Sequence, residues 1–174
     1  MLRKIRQSIT QADATVRLTG TVYIDHAKCG KPFTNSFYNE ADEFPVLMGT
    51  ATDDQDQPTY VKIQMLPESH YTDTYIVPEG IRAFRDKNVD LEATVTCTIG
   101  TRTRRNTMKG YPLFQQARAW IKMTYHGLGQ RHLQHYWNEF CWRINARQLN
   151  HSLFGSILNL CALTPPTTYA ELAK

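Results

Sequence analysis

The chain has 174 residues and a mass of 20.1 kDa, enough for one domain that buries roughly 70% of its unfolded-chain surface without disulfides or metal. Its 41% hydrophobic and 21% charged residues, with 9 Gly and 8 Pro, exclude the disordered and collagen-like classes. The longest apolar run, Phe154 to Leu163, is ten residues long, carries Ser156 and Asn159, and falls far short of a membrane span of about 18 residues or more. Residues 1–20 lack the apolar centre of a signal peptide, so a cytoplasmic location is expected.

Cys29, Cys97, Cys141 and Cys161 form no CxxC pair and no Cys-to-His ligand spacing, which speaks against a zinc ribbon or a redox dithiol and for isolated buried thiols. The net charge of +4 conceals an asymmetry. Residues 1–93 hold 10 Lys and Arg against 14 Asp and Glu, whereas residues 94–174 hold 10 against 2, a balance of +8. A basic half of that size suits a phosphate backbone, although a solvated basic surface gives the same count.

The elements follow from periodicity. Val16 to Asp25 alternates and is β-branched, so it predicts a strand ending at Asp25. Phe44 to Thr52 and Pro58 to Leu66 flank Asp53, Asp54, Gln55, Asp56 and Gln57, which predicts a hairpin with those short polar residues in its turn. The stretch 70–87 fits a helix poorly around Pro78 and Gly80, and helical spacing restarts at Ile81, Phe84 and Arg85 before Asn88. Leu91 to Ile99 predicts a fourth strand, ended by Gly100 and followed by the basic loop 101–109.

Pro112 suits the first turn of a helix with Leu113, Ala117, Trp120 or Ile121, and Thr124 on one face, stopped by Gly127 and Gly129. Arg131 to Gln148 is the strongest helix, with Leu133, Tyr136, Trp137, Phe140 and Ile144 on one stripe that should pack on a sheet. A short helix over 153–163 precedes Pro165 and Pro166, and 169–172 closes the chain as a turn at most. Three antiparallel-type strands, a helix, a strand and several helices give an α/β fold: one RNase H-like domain over 1–174, a mixed sheet flanked by helices with a helical C-terminal segment.

The segment 124–145, TYHGLGQRHLQHYWNEFCWRIN, resembles the C-terminal signature of the ISXO-type insertion-sequence transposases, relatives of the Merlin elements. His126, Gly127, His132, Leu133, Gln134, Tyr136, Glu139, Phe140, Arg143 and Asn145 match it in spacing. Ala119-Trp120, Leu153-Phe154 and 168–172 continue the likeness downstream, and 18–25, LTGTVYID, resembles the family's opening strand. Nearly the whole chain is covered. Residues 1–7 resemble the connector before that strand, and the zinc ribbon usual in the family would precede this chain.

That resemblance implies an RNase H-like DDE domain that cuts and joins DNA through Mg²⁺ or Mn²⁺ held by two Asp residues and a late Asn or Glu. Hard divalent ions prefer oxygen anions, and a pair of them stabilises both the attacking and the leaving oxygen. Asp25 stands at the first catalytic and metal position, with Tyr23 and His26 replacing acidic neighbours. Thr98 stands where the second Asp belongs, and Gln116 where the late Asn belongs. No Asp or Glu lies between Glu92 and Glu139, and the segment after Gly110-Tyr111 is shortened. Metal binding is therefore expected to be weak or lost and catalysis impaired.

Glu139 is expected to pair with a neighbouring Arg, Asp53, Asp54 and Asp56 to shape a turn, and the three Trp residues to pack in the core. DNA is the implied partner, no membrane is, and a homo-oligomer is allowed. Arg102, Arg104, Arg105 and Lys109 place four positive charges within nine residues. With Arg118, Lys122, His126, Arg131 and His132 they are the candidate phosphate contacts. Two other readings stay open: an active metal-dependent transposase with a rearranged site, and a structural or protein-interaction module.

Overall fold

The structure is a computed structural model that describes residues 2–29, 44–72, 76–99, 109–125, 130–149 and 152–163. In chain order the elements are α1 (Leu2–Thr15), β1 (Thr21–Cys29), β2 (Phe44–Thr52), β3 (Pro58–Met65), α2 (Pro78–Asn88), β4 (Thr94–Cys97), α3 (Tyr111–Thr124), α4 (Gln130–Gln148) and α5 (Leu153–Leu163). The strands form a mixed sheet in the order β3-β2-β1-β4, antiparallel except for the parallel β1–β4 pair. That α/β arrangement, with helices on both faces, is compatible with the RNase H-like layout.

The hairpin forms where alternation places it, with Met48 opposite Ile63 and Thr50 opposite Val61. Asp53 closes the turn by accepting the backbone N–H groups of Gln55 (3.0 Å) and Gln57 (2.8 Å) on one carboxylate oxygen, the turn chemistry expected of a short acidic side chain.

Several boundaries move. The opening strand starts at Thr21 rather than Val16, because Gly20 adopts φ +71° and separates it from Leu18, which bridges to Val89 instead. It also runs on to Cys29, so Asp25 is mid-strand and not at the strand end. Pro78 opens α2 in its first turn, where a missing N–H costs nothing, rather than interrupting it. The fourth strand narrows to 94–97, with Leu91 in an exposed turn. On α3 the inward face is Phe114, Ala117 and Ile121, rotated from the expected one, and Thr124 is exposed.

The helix α1 is the element that local reading missed: residues 1–7 looked like a connector, yet 2–15 form a helix whose Ile9 is buried. Two cores result. One lies between the sheet and α3 with α4, built on Val46, Met48, Val61, Ile63, Phe114, Leu133, Trp137 and Phe140. The other lies on the opposite face, built on Leu18, Val22, Ile24, Leu47, Phe84 and Val89. Trp137 belongs to the first core and Trp120 packs against it, as stacking of the apolar stripes requires. Of the described thiols only Cys141 is buried, whereas Cys97 and Cys161 are exposed, which corrects the expectation of uniformly buried cysteines.

Candidate functional site

Asp25 is fully buried on the face of β1 that looks toward α3, and its neighbours come from three elements. The parallel pairing of β1 with β4 sets Ile24 beside Cys97, which brings the next residues, Asp25 and Thr98, together. Thr98 Oγ1 donates to Asp25 Oδ1 at 2.6 Å, and the Thr98 N–H donates to the Ile24 carbonyl at 3.1 Å. The second oxygen, Oδ2, accepts the Gly110 backbone N–H at 2.7 Å.

Gly110 is the residue before α3, so this N–H belongs to the positive end of the helix, a favourable place for a carboxylate. A side chain at position 110 would meet Thr50 Oγ1 at 3.1 Å, Met48 Cβ at 3.2 Å and Asp25 Oδ2 at 3.3 Å, which is why glycine stands there. Both oxygens of Asp25 thus take charge-assisted hydrogen bonds that join β1, β4 and α3. Thr50 Oγ1, buried beside them, has no hydrogen-bond partner among the described residues.

As a divalent-metal site this donor set is short of charge. It offers one carboxylate, already accepting on both oxygens, and the hydroxyls of Thr98 and Thr50. Among the described residues no group of three or more His, Cys, Asp or Glu is placed to hold a metal ion. Gln116, the third expected position, is exposed on α3, off the face that carries Phe114, Ala117 and Ile121, and no described hydrogen bond joins it to Asp25. The geometry brings together the first and second positions and leaves the third outside.

The expected phosphate contacts divide. Lys109 pairs with Asp56 at the hairpin turn and sits over the Tyr23 ring, and the hydrogen bond to Asp56 raises its amine above the ordinary lysine value. Arg118 and Lys122, four residues apart, are exposed on α3. His132 is exposed on α4. Arg102, Arg104, Arg105 and His126 lie outside the described residues, as does the side chain of Arg131.

The signature residues of α4 turn out to hold the fold. Gln134 accepts the Met65 N–H and donates to the Ile63 carbonyl, both at 2.8 Å. Asn145 accepts the Val61 N–H at 2.8 Å and donates to the Val61 carbonyl at 3.0 Å. These amides complete the outer edge of β3, replacing a neighbouring strand. Glu139 pairs with Arg143 as expected, at 2.7 Å, and also with Arg6 of α1 at 2.7 Å. Arg6 further donates to the Tyr125 hydroxyl at 3.0 Å and lies 4.1 Å from the Tyr136 ring centroid. No local signal in the sequence marks Arg6, since its partner is 133 residues away.

Residues 71–145 match the family model of the ISXO2-like transposase domain. Over that stretch, less than half of its length, the chain is similar to a transposase domain. The matched stretch takes in α2, β4 and α3 and runs into α4 as far as Asn145, so it contains Thr98, Gln116 and the signature, while Asp25 and the first three strands precede it. DDE transposases use divalent metal ions in general. No curated protein and no solved structure matches the chain. No helix among the described residues is long and apolar enough to cross a membrane.

Proposed function

We propose that residues 1–174 form one transposase-derived domain that binds DNA and has lost strand cleavage and transfer. The observation that carries this reading is the Asp25–Thr98 pair. In the register of the family resemblance these are the first and second metal positions, and here a hydroxyl donates where a second carboxylate would share a cation. Two-ion phosphoryl transfer needs that second negative ligand, and Thr98 and Gln116 are both neutral. Retained DNA affinity is supported by the +8 balance of residues 94–174 and by the exposed Arg118 and Lys122 on α3, the helix whose leading Gly110 N–H bonds Asp25. Arg102, Arg104 and Arg105 add charge in the adjoining sequence.

The experiment pairs two assays. Duplex DNA binding is measured across a salt series, where each phosphate contact removed by Arg118→Ala, Lys122→Ala or Arg102→Ala should lower the salt slope by about 0.9. Strand cleavage with Mn²⁺ is then measured for the unaltered chain and for Asp25→Ala. Cleavage that disappears in Asp25→Ala refutes the loss of catalysis.

A second reading, a protein-interaction module, is favoured by the exposed Phe154 and Leu158 of α5 and the exposed Leu149 after α4. Absence of DNA affinity at low salt would decide for it.

A further inference from the structure

Between α1 and the N-terminal half of α4 lies a cleft of about 260 Å³ lined by Arg3, Arg6, His132, His135 and Tyr136. No carboxylate among the described residues lines it. Arg6 is held from behind by Glu139 and Tyr125, which fixes its guanidinium, and Glu139 is shared with Arg143, so one negative charge faces two guanidinium groups. Arg3 and His132 are exposed and make no ion pair among the described residues.

The tautomer of His135 follows from its hydrogen bonds. Its Nδ1 lies 3.2 Å from Thr10 Oγ1, whose only proton is donated to the Arg6 carbonyl at 2.8 Å. Thr10 also accepts from Asn138 at 3.1 Å, so His135 Nδ1 carries a hydrogen and Nε2 is the acceptor nitrogen of the neutral ring. A proton added to His135 therefore goes to Nε2 and creates a new donor. Arg3 and Arg6 on α1 and His132 and Tyr136 on α4 line the cleft with the ring, and Glu139 and Tyr125 hold Arg6; the one titratable side chain of α5, which packs on α1, is the exposed Cys161. Burial holds the imidazole below its ordinary value first, and the charges of His132, Arg3 and Arg6 hold it down further. An anion in the cleft would cancel those charges and accept from Nε2.

We propose that the α1–α4 cleft is a phosphate-binding site in which Arg3, Arg6 and His132 hold the anion and His135 takes one proton from solvent at Nε2 as it binds. The source of the phosphate, the backbone diester of a DNA strand, rests on the DNA-binding reading above; a free phosphate shares the chemistry.

Histidine ring resonances of the full chain are followed by NMR between pH 5 and 8 (about the histidine range), alone, with sulfate, whose charge is fixed there, and with a short DNA duplex. Both additions should raise the His135 midpoint, by about one unit for a tenfold preference for the protonated form. Arg3→Gln and His132→Asn should remove most of the His135 response while leaving the circular dichroism of the fold intact. In His135→Gln the duplex affinity should climb less steeply as pH falls than in the parent.

A His135 midpoint indifferent to both sulfate and duplex overturns the site. Duplex binding with no His135 response overturns the site and leaves the DNA reading standing. A response to sulfate without any duplex binding upholds the site, assigns free phosphate as its ligand and refutes the DNA reading.

Discussion

The side-chain amide of Asn145 forms two hydrogen bonds with the backbone of Val61, accepting its N–H at 2.8 Å and donating to its carbonyl at 3.0 Å. Val61 is buried on the edge strand of the sheet, where both groups would otherwise have no partner. Leaving two buried backbone groups unpaired costs about 2–6 kcal/mol together. Asn145→Ala should therefore lower the urea unfolding free energy by that amount and speed exchange of the Val61 amide hydrogen. Gln148→Ala, exposed at the end of the same helix, should stay within about 0.5 kcal/mol of the parent. Equal stability of the two variants would mean that the edge of β3 is protected by something else.

That pair also marks where sequence reading stops. Apolar alternation on 44–52 and 58–66 was enough for the hairpin, because a one-residue slip would turn Met48 and Val61 out of the core. The 3.6-residue stripe was enough for α4. The same periodicity is silent on polar positions, so nothing local shows that Gln134 and Asn145, which match the signature in spacing, have partners on a strand about 70–84 residues earlier. The Asp25–Thr98 adjacency was legible only through the family register, which sets the two residues at the first and second metal positions; the parallel β1–β4 pairing that joins them is not encoded in composition. Asp25 was placed at a strand end because the β-branched run stops there, whereas the true length of β1 is set by its partner β2, continuing to Cys29 opposite Phe44. In α1, Leu2, Ile5, Ile9 and Ala12 do carry helical spacing, overlooked because each half of the stretch is short and polar.

Glu139 should behave as the shared counter-ion of two helices. Glu139→Gln leaves Arg6, nearly buried, and Arg143 without their carboxylate, and breaking one side of a buried pair costs about 3–5 kcal/mol. Because Arg6 retains the Tyr125 hydroxyl and the Tyr136 ring, the lower end of that range is expected. The double variant Arg6→Met with Glu139→Leu should lose less than Glu139→Gln alone, since no orphaned charge remains. Additive losses in a double-mutant cycle would show that the two side chains act independently.

Stability should depend on pH through His135. Its folded value lies below the unfolded one because burial and the neighbouring cations disfavour the charged ring. The unfolded chain then binds more protons in the window between the two values, so stability is complete above the unfolded histidine value, about 6.5, and falls as pH drops toward the folded value. Chemical unfolding at pH 7.5 and at successive steps down to 5.5 should show this decline, and His135→Gln should flatten it. A decline of the same size in the variant would assign it to other groups.

The Asp25–Thr98 contact permits a test that does not depend on enzymatic activity. Thr98→Asp replaces a hydroxyl that donates at 2.6 Å with a second carboxylate facing a buried one. Without a cation the two charges repel beside a fully buried Asp25, so one must take up a proton or the β1–β4 pairing must loosen. The melting temperature of Thr98→Asp with a chelator present should fall below that of the parent. It should also fall below that of Thr98→Val, which loses only the hydrogen bond, worth about 1.5–3 kcal/mol to a charged acceptor. Adding Mn²⁺ should then restore much of the loss in Thr98→Asp, since a divalent ion between two carboxylates binds the folded state and not the unfolded one. The parent and Thr98→Val should show no such gain, because one carboxylate with both oxygens already accepting offers the ion little. Stabilisation of the parent by Mn²⁺ to the same extent as Thr98→Asp would mean that Asp25 still holds metal with ligands other than Thr98. A Thr98→Asp chain that melts like the parent with chelator and ignores Mn²⁺ would show that the new carboxylate turns away from Asp25, and the shared register of these positions with a two-carboxylate transposase site would then be wrong.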